Sequence, residues 1–427
     1  METDTIFAVA SGAARAALSV IRVSGPYSSE VVSTLCGKLP APRRAVVRGI
    51  RAADGEVLDR AMLLWLPGPG SYTGEDSAEL HVHGGRAVVQ AVAAALVAAG
   101  ARPAEPGEFS RRAFLNGRMD LLEAEGVADL VAAETEGQRR QALRQLEGGQ
   151  SRMLAGWAER LRRMLAWQEA LIDFPDEDLP AEVERDLAAD IGALAGELEA
   201  ARQDARRGAR VREGLVFAVA GAPNVGKSSL VNALSGRDVA IVASTPGTTR
   251  DALEVLLDLG GMPVTLIDTA GLRETDDPVE AEGVRRARAR AEHADLVLQV
   301  LDAGRPAFGV PSGAMVVANK IDLAPAPPGV MGVSVLTGAG MAALRAALEE
   351  AVRDLTAATG PAVLSRSRHQ ASLAEAAVAL RAADLASLPE LRGEELRVAM
   401  QALGRITGAV DVEAILDTVF GAFCIGK

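Results

Sequence analysis

Cysteine and aromatic residues are scarce in this chain of 427 residues. The two cysteines, Cys36 and Cys424, are too few for a disulfide framework or a four-thiolate zinc site. Aromatic residues make up 3% of the sequence, so there are few side chains on which the bases of single-stranded RNA could stack. This composition suits a reducing compartment, and we expect a cytoplasmic protein.

Long apolar runs and an excess of basic residues are also missing. The most apolar stretch, from Gln90, is too short and alanine-rich to span a bilayer, and no basic N-terminal segment indicates a signal peptide. The formal net charge of −12 argues against binding of nucleic acid over the whole surface. Arginines are nevertheless clustered at 202–212 and 285–290. Each cluster is a candidate phosphate-facing patch or, alternatively, a solvated helix face interleaved with acids.

The sequence pattern divides the chain into segments. Residues 1–116 alternate short strand-like runs with one predicted helix at 87–99, and residues 117–212 have helical spacing. Residues 213–357 alternate apolar strands with loops, and helical spacing returns in 358–427. Because the helical pattern is interrupted, we predict an α/β domain inserted into a helical domain whose two halves pack together.

A phosphate-binding loop pattern lies at 221–228. It follows an apolar strand and reads Gly, four variable residues, then Gly-Lys-Ser. Gly221 and Gly226 let backbone N–H groups face a phosphate at the start of a helix. We expect Lys227 to reach the β- and γ-phosphates and Ser228 to hold Mg²⁺. Alone, the pattern also fits an ordinary strand-to-helix turn that contains glycines.

Three further motifs identify the nucleotide as GTP. DTAG at 268–271 follows another apolar strand and offers a carboxylate for Mg²⁺ and an N–H for the γ-phosphate. In GTTRD at 247–251, Thr249 supplies a second Mg²⁺ ligand. NKID ends in Asp322, which can accept two hydrogen bonds from the N–H edge of guanine. Adenine has no such donors, and a plain ATPase is therefore excluded.

Three blocks of the chain resemble the MnmE (TrmE) family of tRNA modification GTPases. The N-terminal block contains GPGSYTGEDSAELHVHGG at 68–85 and PGEFSRRAFLNG at 106–117. The middle block contains PNVGKSSL, GTTRD, DTAGLR and NKID, and the chain ends in CIGK. The PGEF-to-RAFLNG segment and the tail are specific to that family among GTPases, whereas PNVGKSSL is shared with translation-associated GTPases.

The resemblance implies a multidomain α+β fold. A folate-binding and dimerisation domain of α+β type occupies 1–116. An all-α helical domain, 117–212 with 358–427, is split by an inserted α/β P-loop GTPase domain at 213–357. The contacts to a 5-formyl- or methylene-tetrahydrofolate fall on Arg22, Glu79, Arg118 and Lys427. Arg118 stands where lysine is common in the family, which keeps the cation but changes its geometry.

The resemblance also implies how GTP is hydrolysed. After DTAG, many small GTPases have a glutamine that orients water, but this chain has Leu272, which cannot form a hydrogen bond through its side chain. The family uses K⁺ instead and an acid corresponding to Glu280. The alternative role of Glu280 is to favour a helix N-terminus. The base-closing motif begins at Ser334 and acts through backbone N–H groups.

The implied site residues fall into four sets. The catalytic set is Glu280, Arg273 and Cys424, and the Mg²⁺ set is Ser228 and Thr249. The K⁺ set is Asn224, Ala243, Thr245 and Thr248. The GTP set is Asn224, Val225, Gly226, Lys227, Ser228, Ser229, Ala243, Ser244, Thr245, Thr248, Thr249, Asp268, Thr269, Ala270, Gly271, Asn319, Lys320, Asp322, Ser334, Val335 and Leu336.

The implied reaction takes place on tRNA. A homodimer of the chain, in a heterotetramer with an FAD-dependent MnmG/GidA-type subunit, would use a folate one-carbon unit to install carboxymethylaminomethyl or aminomethyl groups at C5 of the wobble uridine. Cys424 would be a nucleophile or, alternatively, part of a frayed terminus. The alternative function is a ribosome-assembly or RNA-binding GTPase, which predicts a basic KH-type domain with a GXXG loop. The C-terminal helical segment has no such loop.

Overall fold

A computed structural model describes most of the chain. The described residues are 4–12, 16–173, 181–236, 254–269, 285, 288–305, 312–357, 364–410, 416, 419–421, 423 and 426. They form two compact units, Met1–Ala128 with Gly404–Lys427, and Asp129–Leu403. The narrower domain boundaries at 116, 212 and 357 stay predictions.

The first unit is built on a six-stranded sheet. Its strands are β1 (Ile6–Val9), β2 (Leu18–Ser24), β3 (Val46–Arg51), β4 (Val57–Leu66), β5 (Ser77–His83) and β6 (Arg102–Pro103), in the order β3-β4-β5-β2-β1-β6. All neighbours are antiparallel except β1 and β6. Along β2, Ile21 and Val23 are buried and alternate with the less buried Val20 and Arg22, so the two faces of the sheet differ.

Within the described residues of 1–116, three helices accompany this sheet: α1 (Ser28–Cys36), α2 (Arg86–Ala98) and α3 (Glu108–Leu115). The prediction of a single helix in this part of the chain was therefore wrong. The sequence of α1, SSEVVSTLC, is rich in residues that favour strands. Its helical state depends on tertiary packing, since Val31, Val32 and Leu35 are buried in the core with residues of β2 and α2.

Long helices precede the second sheet. They are α4 (Leu121–Ala132), α5 (Glu136–Leu146), α6 (Gly149–Asp173) and α7 (Ala181–Glu213), as the helical spacing predicts. Thr135 caps α5 in a capping box with Gln138. On α7 the buried Leu187, Ile191, Leu194 and Leu198 recur every three or four residues and form one apolar face.

The second sheet contains the predicted nucleotide motifs. Its strands are β7 (Leu215–Ala220), β8 (Glu254–Leu259), β9 (Met262–Asp268), β10 (Leu296–Asp302), β11 (Met315–Asn319) and β12 (Met331–Gly332), in the order β12-β11-β10-β7-β9-β8. All neighbours are parallel except β8 and β9. Helices α8 (Lys227–Leu234) and α9 (Met341–Thr356) belong to the described residues of this part. The carboxyl ends of the parallel strands meet at one edge, where α/β proteins bind ligands.

The helical part resumes with α10 (Ser367–Leu385) and α11 (Pro389–Thr407). Helix α10 packs along α7, and two polar contacts join the early and late helices. Gln168 Nε2 donates to Pro389 O at 2.9 Å, and Arg366 Nη2 donates to Asp129 Oδ1 at 2.7 Å. The two halves of the helical part therefore pack together, as the interrupted pattern predicts. No helix among the described residues is both long enough and apolar enough to cross a membrane.

A buried arginine organises the start of the first unit. Arg112 is 1% exposed, and its Nη2 donates to Asp4 Oδ1 and Glu108 Oε1, each at 2.9 Å. Its Nη1 donates to Glu75 Oε2 at 3.3 Å. The pKa of Asp4 is lowered, first by the hydrogen bond from Arg102 and then by those from Arg112. One cation on α3 thus connects the segment before β1 with the loop before β5.

We predict that Arg112→Leu lowers the free energy of unfolding by about 3 kcal/mol, because the change removes the buried cation that Glu75 and Glu108 share, although Arg102 still pairs with Glu108. Urea unfolding followed by circular dichroism measures this, with Arg86→Leu, a change at an exposed residue of α2, as the control. Because the pKa of Asp4 is lowered in the folded protein, the stabilisation from its ion pairs is present at neutral pH and is lost as pH falls through that lowered pKa. Equal stability of the two variants would contradict the prediction.

Candidate functional site

The phosphate loop connects β7 to α8 through two glycines. A Cβ on Gly221 would collide with Val300 O, and a Cβ on Gly226 would collide with Asn319 Nδ2. Gly226 has φ +94°, which favours glycine, and no side chain caps the N-terminus of α8. The N–H groups of the first turn are therefore available to an anion, and they lie at the positive end of the helix dipole. This geometry fits a nucleotide phosphate.

Lys227 and Ser228 follow directly. Lys227 is 5% exposed, and its Nζ donates to Gly221 O and Ala222 O, both at 2.8 Å. Its charge is thus held inside the loop. Ser228 Oγ donates to a carboxylate oxygen of Asp268, which ends β9 and is also buried. A hydroxyl and a carboxylate that meet beside a phosphate loop are oxygen ligands of the kind that Mg²⁺ prefers.

The base-recognition motifs are tied to the phosphate loop by one amide. Asn319 Nδ2 donates to Val225 O at 2.9 Å, and Val335 N donates to Asn319 Oδ1 at 3.3 Å. Beside it, Ser334 Oγ donates to Asp322 Oδ1 at 2.5 Å. This hydrogen bond orients the Asp322 carboxylate so that its other oxygen can accept from a guanine N–H.

Asp302 belongs to this site, although the sequence analysis missed it. Lys320 Nζ donates to Asp302 Oδ2 and to Asn224 O, each at 2.8 Å. The pKa of Asp302 is lowered, first by the hydrogen bond from Lys320 and then by that from Gly304 N. Asn224 and Lys320 both have positive φ, +64° and +68°. Asp302 ends an apolar strand, but its pairing with Asn319 is set by the register of β10 against β11, which the sequence does not show.

Arg22 and Glu79 form a second polar group, in the first unit. They face each other on β2 and β5, and Arg22 Nη2 donates to Glu79 Oε1 at 3.1 Å. The Arg22 guanidinium lies 5.2 Å from the ring centroid of Tyr72 and 5.8 Å from that of Phe109. The exposed Arg118 lies against Gly74, in the same loop as Tyr72.

Other predicted site residues have simpler environments. Thr269 Oγ1 donates to Val219 O at 2.9 Å, whereas Ser229 and Leu336 are exposed. The remaining predicted residues lie outside the described part of the chain. These are Ala243, Ser244, Thr245, Thr248, Thr249, Ala270, Gly271, Arg273, Glu280, Cys424 and Lys427. Their roles stay predictions.

Two sequence models match the chain. That of the MnmE helical domain matches residues 121–424, and that of the GTP-binding protein TrmE N-terminus matches 5–118. The chain belongs to the MnmE (TrmE) family. The tRNA modification GTPase MnmE of Gluconacetobacter diazotrophicus is 59% identical over 432 residues, which cover 100% of this chain and 99% of that protein. MnmE of Granulibacter bethesdensis is 54% identical, over 100% of each.

A solved structure is similar to a part of the chain. The G domain of the T. maritima FeoB iron transporter is 27% identical over 34% of this chain and 99% of that chain, with a TM-score of 0.23. At that TM-score the similarity supports no conclusion about this protein. The two sequence models and the MnmE relatives therefore decide the family.

Asp322→Asn tests the choice of base. We predict that this variant binds GTP much more weakly and prefers xanthosine triphosphate, because an amide can donate a hydrogen bond where the carboxylate can only accept. Equilibrium binding of fluorescent guanine and xanthine nucleotides measures the affinity of each variant for the two bases. Ser334→Ala keeps the carboxylate and should weaken the binding of GTP without changing the preferred base. An Asp322→Asn protein that still prefers GTP would remove Asp322 from the base site.

Proposed function

We propose that this chain is a tRNA modification GTPase, which hydrolyses GTP to GDP and takes part in modifying C5 of the wobble uridine. The observation that carries the proposal is the Asn319 amide, which joins the phosphate loop to the loop that presents Asp322. A guanine-selective site of this kind lies in a chain that belongs to the MnmE family. No observation favours the alternative of a ribosome-assembly GTPase. We place the protein in the cytoplasm, where it would meet tRNA.

Within this proposal, the phosphate loop and the strand ends hold GTP and Mg²⁺. The N–H groups of α8 and the Lys227 ammonium would bind the phosphates, and Ser228, Thr249 and Asp268 would bind Mg²⁺ directly or through water. Lys227, Ser228 and Asp268 are already held in place, because Lys227 donates to two carbonyls of the loop and Ser228 donates to Asp268. Little free energy is needed to reorganise a preformed site of this kind when the transition state forms.

We further propose that hydrolysis depends on K⁺. Leu272 cannot orient water, so another charge must stabilise the developing negative charge between the β- and γ-phosphates. Asn224 supports this role, because its side chain is exposed in the phosphate loop while its carbonyl is held by Lys320. The other ligands would be Ala243, Thr245 and Thr248. Glu280 would orient the attacking water, and Arg273 would belong to the same catalytic set.

The rate of GTP hydrolysis should therefore rise with K⁺ but not with Na⁺ at matched ionic strength. Asn224→Ala should flatten the K⁺ response, because it removes a side-chain ligand. Glu280→Ala should lower the turnover rate and leave the affinity for GTP almost unchanged, since the acid acts on water only during the reaction. Single-turnover hydrolysis and stopped-flow binding measure the two quantities separately. Equal rates in the two salts would eliminate the cation mechanism.

The N-terminal unit would supply the one-carbon unit. Arg22, Glu79, Arg118 and Lys427 would bind a 5-formyl- or methylene-tetrahydrofolate. The Arg22 guanidinium supports this proposal, because Glu79 and two aromatic rings fix its orientation while it stays partly exposed. The chain would act as a homodimer with an FAD-dependent MnmG/GidA-type subunit, which supplies the redox chemistry.

The tail cysteine offers the sharpest test of the modification step. We predict that Cys424→Ser abolishes wobble-uridine modification but leaves GTP hydrolysis nearly intact, because the thiolate would act on tRNA chemistry rather than on the nucleotide. Mass spectrometry of tRNA nucleosides from cells that lack the gene, complemented with each variant, measures the modification. Cys36→Ala is the matched control. Burial raises the pKa of the Cys36 thiol to about 11, against a smaller lowering effect of Arg48, so this thiol is unreactive.

Two outcomes would count against these assignments. If Cys424→Ser loses both activities equally, the cysteine is structural. If cells without the gene keep a normal set of wobble-uridine nucleosides, the proposed function itself is wrong.

A further inference from the structure

A cavity of about 420 Å³ lies where α7 passes into β7. Arg206 and Arg210 of α7 line it together with Arg290, which belongs to the second arginine-rich segment. The two segments are about eighty residues apart in the sequence, and each was a candidate phosphate-facing patch. The fold brings both to one cavity, so the patches are parts of a single feature.

The acids at this cavity are already engaged. Asp295 Oδ1 accepts from Arg210 Nε at 2.9 Å, and its Oδ2 accepts from Val216 N at 3.1 Å. Glu213 is paired with Arg212. Because both oxygens of Asp295 are taken, this carboxylate fixes Arg210 in place and has little remaining capacity to bind a ligand.

The donors at the cavity, in contrast, exceed the acceptors. Arg210 Nη1 donates to Leu355 O at 3.3 Å, and Arg290 is paired with Glu254. Arg206 is exposed and has no ionic or hydrogen-bonding partner among the residues that the structure describes. A guanidinium presents its donors as a planar fork that matches phosphate oxygens. The cavity is therefore suited to an anion with several oxygens.

Size and lining identify the class of ligand. A volume near 420 Å³ is large enough for a phosphate with its attached sugar. Of the described residues that line the cavity, none is aromatic, and Gln370 is the one neutral amide side chain. Such a lining cannot stack a base and offers little to read one. It suits contact with a nucleic-acid backbone, which positions the molecule without reading its sequence.

We propose that this cavity binds a phosphodiester group of the tRNA on which the protein acts, with Arg206 as the residue that contacts the phosphate. The inference rests on the proposed function, because it takes tRNA as the substrate. A chain with net charge −12 needs a local basic site to hold RNA. The cavity lies at the amino end of β7, and the carboxyl end of the same strand leads into the phosphate loop, so β7 connects the backbone contact to the nucleotide-binding part.

The test uses the full chain and an unmodified tRNA transcript, with binding measured by fluorescence anisotropy over a range of salt concentrations. Arg206→Glu should weaken tRNA binding about tenfold, as expected for a charge-assisted hydrogen bond. The slope of log K against log salt concentration should fall by about one, as for loss of one phosphate contact. Arg206→Lys keeps the charge and should recover most of the affinity. GTP affinity should be unchanged in both.

Arg163→Glu is the matched control. Arg163 is exposed on α6 and, within the described part of the chain, has no ionic partner, so the same charge reversal is made away from the cavity. Wild-type tRNA binding by Arg206→Glu would overturn the proposal, and so would an equal loss in Arg163→Glu, which would indicate a general charge effect. A third outcome would also overturn the proposal. Inorganic phosphate could raise the melting temperature of the wild type but not of Arg206→Glu, while the variant still binds tRNA normally. The cavity would then be a site for a free anion.

The inference and the proposed function can fail separately. If wobble-uridine modification requires the gene but Arg206→Glu binds tRNA normally, only the cavity assignment is wrong. If modification does not require the gene, the proposed function is wrong. Loss of tRNA binding in Arg206→Glu would still support an RNA-backbone site in that case.

Discussion

The amide of Asn319 is the interaction on which the nucleotide site depends. Its nitrogen holds the phosphate loop at Val225 O, and its oxygen holds the base loop at Val335 N. Gly226 must lack a side chain because the same amide nitrogen approaches it. An amide suits this position, since it both donates and accepts, whereas a carboxylate could only accept. The base end and the phosphate end of the site are therefore kept at a fixed separation.

The parts of this site that depend on local patterns could be predicted from the sequence. β7 and β9 occupy the predicted apolar runs, because each run is short and has glycines or polar residues at its ends. Asp302 could not be recognised, because its role depends on the register of β10 against β11. Arg112 was missed for the same reason, since it contacts Asp4, which is 108 residues away. Pairings across such distances leave no periodic signal.

The connection between α7 and β7 explains how the inserted part is held. A single residue, Gly214, with φ +84°, separates the end of α7 from the start of β7. Arg210 then binds Asp295 and Leu355 O, near the start of β10 and the end of α9. Because the link is short and three elements are bonded through one guanidinium, a movement of β7 would have to move α7 or break these bonds. The phosphate loop and the helical part are thus mechanically connected.

In the second unit, most positive charges of α7 are paired with acidic residues nearby. Most arginines of α7 are neutralised within a turn of their own helix, as in Arg202 with Glu199 and Arg207 with Asp204. Such exposed pairs contribute little stability, but they cancel the positive charge where no anion is needed. An arginine without a described acidic partner, such as Arg206, keeps a positive charge that is available to an anion. On an acidic protein, an anion would be drawn to the few places where this cancellation is incomplete.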